Sequence, residues 1–297
     1  MYHLLGTKNV LETIYALSLP YALQHPVTNE LQLKKAYQNF LRCIQPKVPL
    51  SHSETIEFIK DAMRVQELVS LFNVDSVLND IDNKLFENDR ESEKRLAKIQ
   101  ESIQLIQSLY PEFAHILSLA VNALFYAKSS KAGGGTTSAA IGVIWSDCRP
   151  TWSASDTLEF FVHELGHTLT FLDEHRFQHY VNLEEASRPE NYALSAILKT
   201  KRPLDKVLHS VVVGTEVLMI RDQVIGHPTS PKLHPSSDLL IDSILAAIDS
   251  ICFVPKIVNL LTLRSLQILD MCKTAVLNIR DKNCFETQPI YASSQNL

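Results

Sequence analysis

Two histidines four residues apart, with a glutamate directly after the first, lie at the centre of FFVHELGHTLTFLDEH, residues 160–175. On an α-helix, residues i and i+4 lie one turn apart on the same face, so His163 and His167 could direct their imidazole nitrogens at one metal ion. Glu164 lies beside the first of these ligands, where a carboxylate can act as the general base on a metal-bound water. The apolar residues on both sides predict a buried helix that faces a cavity, which favours a metal site over two hydrogen-bonded core histidines.

A third ligand is expected further along the chain, and LDKVLHSVVVGTE holds two candidates, His209 and Glu216. They are seven residues apart, so both would lie on nearly the same face of a predicted apolar helix, where buried polar groups need partners. His209 would complete a three-histidine site. Glu216 would complete a set of two histidines and a carboxylate, which both zinc peptidases and non-heme iron oxygenases use. His227 and His234, in a proline-rich loop predicted to be exposed, are the next candidates.

Three segments together resemble a known family: VHELGHTLTFLDE, then RPLDKVLHSVVVGTEVL, then HPTSPKLHPSSDLL. The chain resembles, over roughly residues 110–245, the HExxH-type peptide-modification proteins, which are described as 2-oxoglutarate-dependent peptide β-hydroxylases. The resemblance implies a cytosolic bacterial enzyme that binds Fe(II) and 2-oxoglutarate and hydroxylates a β-carbon in a ribosomally made precursor peptide. It also implies that His209 is the third metal ligand, with Glu216 supporting the site from outside the metal's ligand set.

Such an enzyme needs a cation for the distal carboxylate of 2-oxoglutarate. Arg202 precedes His209 by seven residues, two turns on one helical face, so we expect its side chain to reach that carboxylate. Arg188 and Arg221 are the alternatives, and Arg202 could also be an ordinary surface residue.

The surrounding pattern predicts an α+β fold that is mainly helical, with a zincin-like metal helix against a small sheet. Residues 1–110 are predicted to form a helical region, in which the charge-rich stretch 87–98 is a solvated helix face. Residues 111–297 are predicted to form the metal-binding catalytic region, closed by helices between 238 and 281. The metal helix is predicted to be capped by Ser153 or Ser155.

The stretch 118–147 is predicted to form a strand, a glycine turn and a second strand, most simply a β-hairpin. The second strand, AAIGVIWSD at 139–147, is expected to be an edge strand that takes the peptide substrate as an additional strand. The alternative is an interior strand.

Composition narrows the possible partners. The 297 residues are 45% hydrophobic and carry a formal charge of -5, with no cluster of basic residues, which argues against nucleic acid. The N-terminus lacks the pattern of a signal peptide, and no run of about 18 apolar residues predicts a membrane span. The five cysteines form no metal-ligand spacing and are expected to be reduced thiols, so a cytoplasmic location is predicted.

Three functions therefore compete at the level of the sequence. The first is the Fe(II) and 2-oxoglutarate-dependent peptide β-hydroxylase that the resemblance implies. The second is a zinc metallopeptidase in which Glu164 is the general base. The third is a non-catalytic interaction protein that keeps a structural metal.

Overall fold

The computed structural model describes residues 1–22, 26–72 and 90–283, and the chain divides into two compact units between Gln178 and His179. The sequence predicted a boundary near residue 110, which lies inside the first unit. The reason is that strands and helices from both sides of residue 110 share one core there. Cys284 and the tail that follows it lie outside the described residues.

The first unit contains helices before, beside and after a small sheet. Its principal elements are α1 (Tyr2–Ser18), α2 (Glu30–Ile44), β1 (Glu57–Ile59), α3 (Ala62–Phe72), α4 (Arg90–Leu109), α5 (Pro111–Ala120), β2 (Ala123–Tyr126), β3 (Gly134–Gly135), β4 (Val143–Ser146) and α6 (Ala154–Phe177). Because β1 pairs with β2, and α1 packs against α6, the N-terminal region belongs to the same core as the predicted metal helix. The prediction of a mainly helical α+β fold is confirmed.

The sheet has the strand order β1-β2-β4-β3. β2 is parallel to both β1 and β4, whereas β3 is antiparallel to β4. The predicted hairpin between the two longer strands is therefore wrong: β2 and β4 run parallel, and the glycine segment between them forms the antiparallel strand β3. Parallel neighbours require a crossover connection rather than a tight turn, and residues 127–142 supply it.

The position of β4 also corrects the predicted edge strand at 139–147. β4 pairs on one side with β2, where Ala123 lies opposite Val143, and on the other with β3, where Gly135 lies opposite Trp145. All of its residues are buried, as expected of a strand covered on both faces. The edge of the sheet on this side is β3.

Helix α3 covers one face of the sheet. Phe72 at its end packs edge-on against Phe125 of β2, with ring centroids 5.6 Å apart. Val65 and Leu68 of the same helix join Val143 and Trp145 in one buried apolar cluster. This cluster holds β4 in place at the centre of the sheet.

A buried lysine joins α2 to the end of α5. The Lys34 ammonium donates hydrogen bonds to the carbonyl oxygens of Ser118, Leu119 and Val121, at 2.7, 2.9 and 2.9 Å. The Tyr37 hydroxyl donates to the carbonyl of Ala120 at 2.9 Å. The last carbonyls of a helix have no partner inside the helix, so these donors satisfy the end of α5 where the chain enters β2.

The second unit is a small helical assembly with a two-stranded ribbon. Its elements are α7 (Leu183–Ala186), β5 (Ala193–Leu194), β6 (Lys201–Arg202), α8 (Leu204–Ile220), α9 (Ser237–Cys252) and α10 (Leu263–Asn283). The apolar helix α8 packs against both α9 and α10. The sequence favours Pro203 as the first helical residue, but α8 begins one residue later, at Leu204, and Pro203 is its N-cap.

Two further predictions concern the cysteines and the absence of a membrane span. The four cysteines within the described ranges, Cys43, Cys148, Cys252 and Cys272, are all free. Among the helices that the structure describes, none combines the length and apolarity required to cross a membrane.

Candidate metal centre

Helix α6 carries the motif and begins at a well-formed cap. The Ser153 hydroxyl accepts a hydrogen bond from the backbone N–H of Asp156, and the Asp156 carboxylate accepts one from the backbone N–H of Ser153. This reciprocal capping box satisfies backbone donors that the first turn leaves unpaired, and the negative charge favours the helix N-terminus. Of the two serines predicted as caps, Ser153 is the one that forms it.

The loop that leads into α6 is held by two cations of α4. Arg95 donates to the carbonyl of Cys148 at 2.8 Å, and Lys98 donates to the carbonyls of Arg149 and Trp152 at 3.0 and 3.2 Å. The sequence predicted stretch 87–98 as a solvated face. For Arg95 and Lys98 that prediction is wrong, because the loop carbonyls have no strand or helix partner and these side chains supply the donors.

His163 and His167 lie on one face of α6, as the spacing predicted. Their ring centroids are 5.0 Å apart, with 67° between the ring planes. Two imidazoles on one ion at about 2.1 Å, with a near-tetrahedral angle, have ring centroids about 5 Å apart. Both side chains are partly exposed, while the residues between them are buried. The pair therefore fits two ligands of one metal ion.

Glu164 is buried on the same helix, with 3% of its surface exposed. Burial raises the pKa of its carboxyl to about 8, and the nearby Thr136 hydroxyl offsets part of this rise. The two groups are neighbours without a formed hydrogen bond, since Glu164 Oε2 and Thr136 Oγ1 are both buried atoms with no hydrogen-bond partner in the described structure. A buried carboxylate oxygen without a hydrogen-bond partner, on the helix that carries the histidine pair, fits a site that gains a cation or a polar ligand.

The edge strand β3 lies directly against α6. A Cβ atom on Gly134 would overlap the Phe160 ring and lie 2.5 Å from the carbonyl oxygen of Trp145. A Cβ atom on Gly135 would lie 2.8 Å from the Trp145 indole nitrogen. Only glycine allows the strand to approach the helix and β4 this closely. The open edge of the sheet is thus placed beside the helix that carries the motif.

The predicted residues of the later segment lie in the second unit, on or just before α8. His209 is 5% exposed and Glu216 is fully buried, so the predicted burial of both is confirmed. Each has an interaction partner within the protein. Arg202 does not lie on the helix, as its predicted role assumed, but in β6, where it pairs with Ala193. Arg202 therefore does not share a helical face with His209, because the helix begins only at Leu204.

The alternative residues occupy different surroundings. Arg188 is half exposed and forms an ion pair with Glu185. Arg221 is fully buried and donates to the carbonyl of Pro235 at 2.8 Å, so it fastens the proline loop. His234 is 8% exposed, which corrects its predicted exposure.

The structure brings His163 and His167 together on α6, where Glu164 directly follows the first of them in sequence. Within residues 1–22, 26–72 and 90–283, no three His, Cys, Asp or Glu side chains form a group that could hold a metal ion. The third ligand consequently stays a prediction.

Thr136 is the site residue that the sequence did not single out. The only signal was the glycine triplet before it, a pattern that is also typical of a turn. A three-glycine segment is equally consistent with a strand in close backbone contact with another element, and that interpretation would have pointed to the residue that follows.

Comparison with protein-family models and with curated proteins gives no match for this chain, so what it can do must be argued from its own residues.

Proposed function

We propose that this chain is an Fe(II) and 2-oxoglutarate-dependent peptide β-hydroxylase with a zincin-like metal helix. The observation that carries the metal site is the His163 and His167 pair, whose 5.0 Å ring separation suits one ion. The choice of iron and 2-oxoglutarate is supported by the resemblance of the three segments quoted above. When bound, iron and 2-oxoglutarate supply the oxidising chemistry that inserts an oxygen atom from O2 into a C–H bond.

In this proposal the residues have distinct tasks. His163 and His167 hold the metal ion, with His209 as the predicted third ligand and Glu216 as its alternative. Arg202 is the predicted partner of the 2-oxoglutarate carboxylate, now from a strand rather than from a helix. The precursor peptide adds to the sheet as an extra strand at β3, because β3 and not β4 is the edge on that side.

The buried carboxylate favours a second candidate, a zinc metallopeptidase. Glu164 lies next to a ligand histidine and close to the edge strand, which is where a general base must lie to act on water attacking a bound peptide. The same edge strand would then hold the peptide for cleavage.

Metal analysis of anaerobically purified protein, combined with an assay for succinate, separates the two candidates. If the chain is the hydroxylase, the purified protein should contain iron, and adding ferrous iron should support O2-dependent conversion of 2-oxoglutarate to succinate. This conversion should disappear in His167→Ala. Zinc at one equivalent, with peptide cleavage and no succinate, would replace our proposal with the peptidase.

Glu164→Gln tests the same choice on the protein side. A hydrolytic base is indispensable, so a peptidase should lose cleavage by at least about 100-fold, the lower end of the range for general base catalysis. A hydroxylase has no attacking water to deprotonate, so succinate formation should persist at a reduced level. Complete loss of succinate formation with unchanged metal content would contradict the hydroxylase proposal, which gives Glu164 no proton to remove.

A further inference from the structure

The glycine strand β3 contacts helix α6 at Phe160. Thr136 follows β3, and Glu164 lies one helical turn after Phe160. Thr136 directly follows β3, and if the chain continues in extended conformation its side chain lies on the same side as the Cβ position of Gly134. Gly134 faces the Phe160 ring, and Glu164 follows Phe160 by one helical turn on the same face.

The lengths of the two steps agree. Two strand residues advance about 6.6 Å and one helical turn advances about 5.4 Å. The step from Gly134 to Thr136 is therefore similar in length to the step from Phe160 to Glu164. This arrangement accounts for the Thr136 hydroxyl being the polar group that acts on the Glu164 carboxyl.

Both polar atoms at this contact are buried, and neither has a hydrogen-bond partner. Such atoms destabilise a fold, so native proteins keep few of them, mostly where the groups serve a ligand or each other. The Thr168 hydroxyl, one turn further on the helix, is already committed to the carbonyl of Glu164 at 3.1 Å. Thr136 Oγ1 has no such commitment.

We propose that Thr136 is a positioning residue for Glu164. Its hydroxyl donates to the carboxylate after a small rotation of either side chain, and it fixes the direction in which Glu164 points beside His163 and His167. The contact itself does not depend on the enzymatic activity proposed above, whereas its effect on turnover rests on that function.

A double-mutant cycle on thermal unfolding of the metal-free protein tests the contact. Thr136→Val keeps the side-chain shape and removes the hydroxyl, and Glu164→Leu removes the carboxylate. We expect Thr136→Val to lower the unfolding midpoint in the wild-type background and to have a much smaller effect in the Glu164→Leu background, because the two groups share one interaction. An equal effect in both backgrounds overturns the proposal.

Two further variants separate positioning from general damage to the segment. Thr136→Ser keeps the hydroxyl and should behave like wild type. Thr137→Val is the matched control. The Thr137 hydroxyl accepts a hydrogen bond from the N–H of Ala139 in the turn that follows, so Thr137→Val should lower the unfolding midpoint equally in both backgrounds. A Thr136→Ser variant that is as impaired as Thr136→Val also overturns the proposal, since it would mean that the methyl group, not the hydroxyl, matters.

Turnover gives a readout that a purely structural role would not affect. Thr136→Val should retain its metal, leave KM within about twofold, and lower kcat in the same direction as Glu164→Gln, with recovery in Thr136→Ser. Loss of metal from Thr136→Val would place the effect on the histidine ligands and contradict our assignment. If wild type shows neither succinate formation nor cleavage, the proposed function fails, and the unfolding cycle still decides on Thr136.

Discussion

At the scale of single residues, His163 and His167 are partly exposed positions within an otherwise buried stretch of helix. A helix packed on all sides would bury these positions with apolar side chains, so the pair marks the side of α6 where the proposed metal ion would bind. Glu164, between them in sequence, is buried instead.

His163→Ala and His167→Ala should each abolish tight metal binding and leave the fold intact, because one imidazole alone cannot hold the ion and neither ring contributes to the apolar core. Metal content after dialysis, with circular dichroism as the check on folding, measures this. His175→Ala is a suitable control: it lies on the same helix, packs edge-on against Phe40, and should keep the metal. Stoichiometric metal in either ligand variant would disprove the site.

The motif residues could be predicted from the sequence because the i and i+4 spacing is a property of the helix alone. Thr136 could not be predicted, because its position depends on how β3 packs against Phe160 and Trp145. These residues follow Thr136 by 24 and nine positions in the chain. No local pattern reports such a contact.

At the scale of elements, α8 carries the prediction with the greatest consequence for the choice of ligands. We expect His209→Ala to lower metal occupancy strongly, because a two-histidine site is weak, and Glu216→Gln to keep the metal with about 10 to 100-fold lower affinity or activity. Metal titration of both variants measures this. Thr215→Val, beside Glu216 in sequence, is a control for damage to the helix, because its hydroxyl donates to the carbonyl of Val211 in the preceding turn and lies next to the Cys272 thiol.

The opposite result is equally informative. An empty site in Glu216→Gln with a filled site in His209→Ala would exchange the two roles. If neither variant changes metal content, the third ligand lies off α8.

β3 provides the second prediction at this scale. Gly134→Ala should lower the free energy of unfolding by about 1–3 kcal/mol, the usual effect of overpacking, because the added methyl group meets the rigid backbone of Trp145 as well as the Phe160 ring. Chemical denaturation measures it. Phe160→Leu should relieve part of this loss in the double variant. Full tolerance of Gly134→Ala would show that β3 is not pressed against α6.

The elements themselves were predicted unevenly. α6 and α8 could be predicted because caps and apolar spacing are local signals, and both begin within one residue of the expected position. The pairing of β2 with β4 could not be predicted, since a glycine segment between two apolar runs is as typical of a hairpin as of a third strand. Arg95 and Lys98 were interpreted as solvated for a similar reason: nothing in a charged helix indicates that loop carbonyls lie beside it.

At the scale of the whole molecule, Lys34 links charge to stability. Burial lowers the pKa of Lys34 to about 7, whereas the pKa of a lysine in the unfolded chain is about 10.4. Between these values the unfolded chain binds more protons at Lys34 than the folded chain does, so this residue makes the fold more stable as pH rises from about 7 to about 10. Below about pH 7 the cost of the buried charge is fully present.

We therefore expect Lys34→Met to be less stable than wild type by about 1–3 kcal/mol at pH 9, because the carbonyls at the end of α5 lose the donor that the buried Lys34 amine provides. The difference should shrink towards pH 7. Urea denaturation at both pH values measures it, and Lys35→Met, at the exposed neighbouring position, should show neither effect. A difference that grows towards acid would contradict the direction of the pKa change.

The division at residue 178 shows what composition alone leaves open. Helical periodicity before residue 110 and mixed periodicity after it suggested two regions. β1 and α1 cross that boundary to reach β2 and α6, and such long-range pairing leaves no mark in either segment.

The hydrogen bonds from Lys34 to the end of α5 also have a consequence for folding during synthesis on the ribosome. Its acceptors lie 84, 85 and 87 residues further along the chain. A chain that emerges N-terminus first exposes α2 long before those carbonyls exist, and contacts between distant segments form late because the intervening loop must first be closed. The hydrogen bonds of Lys34 can therefore form only after the end of α5 has been synthesised, whereas the packing of α2 against α1 can form earlier.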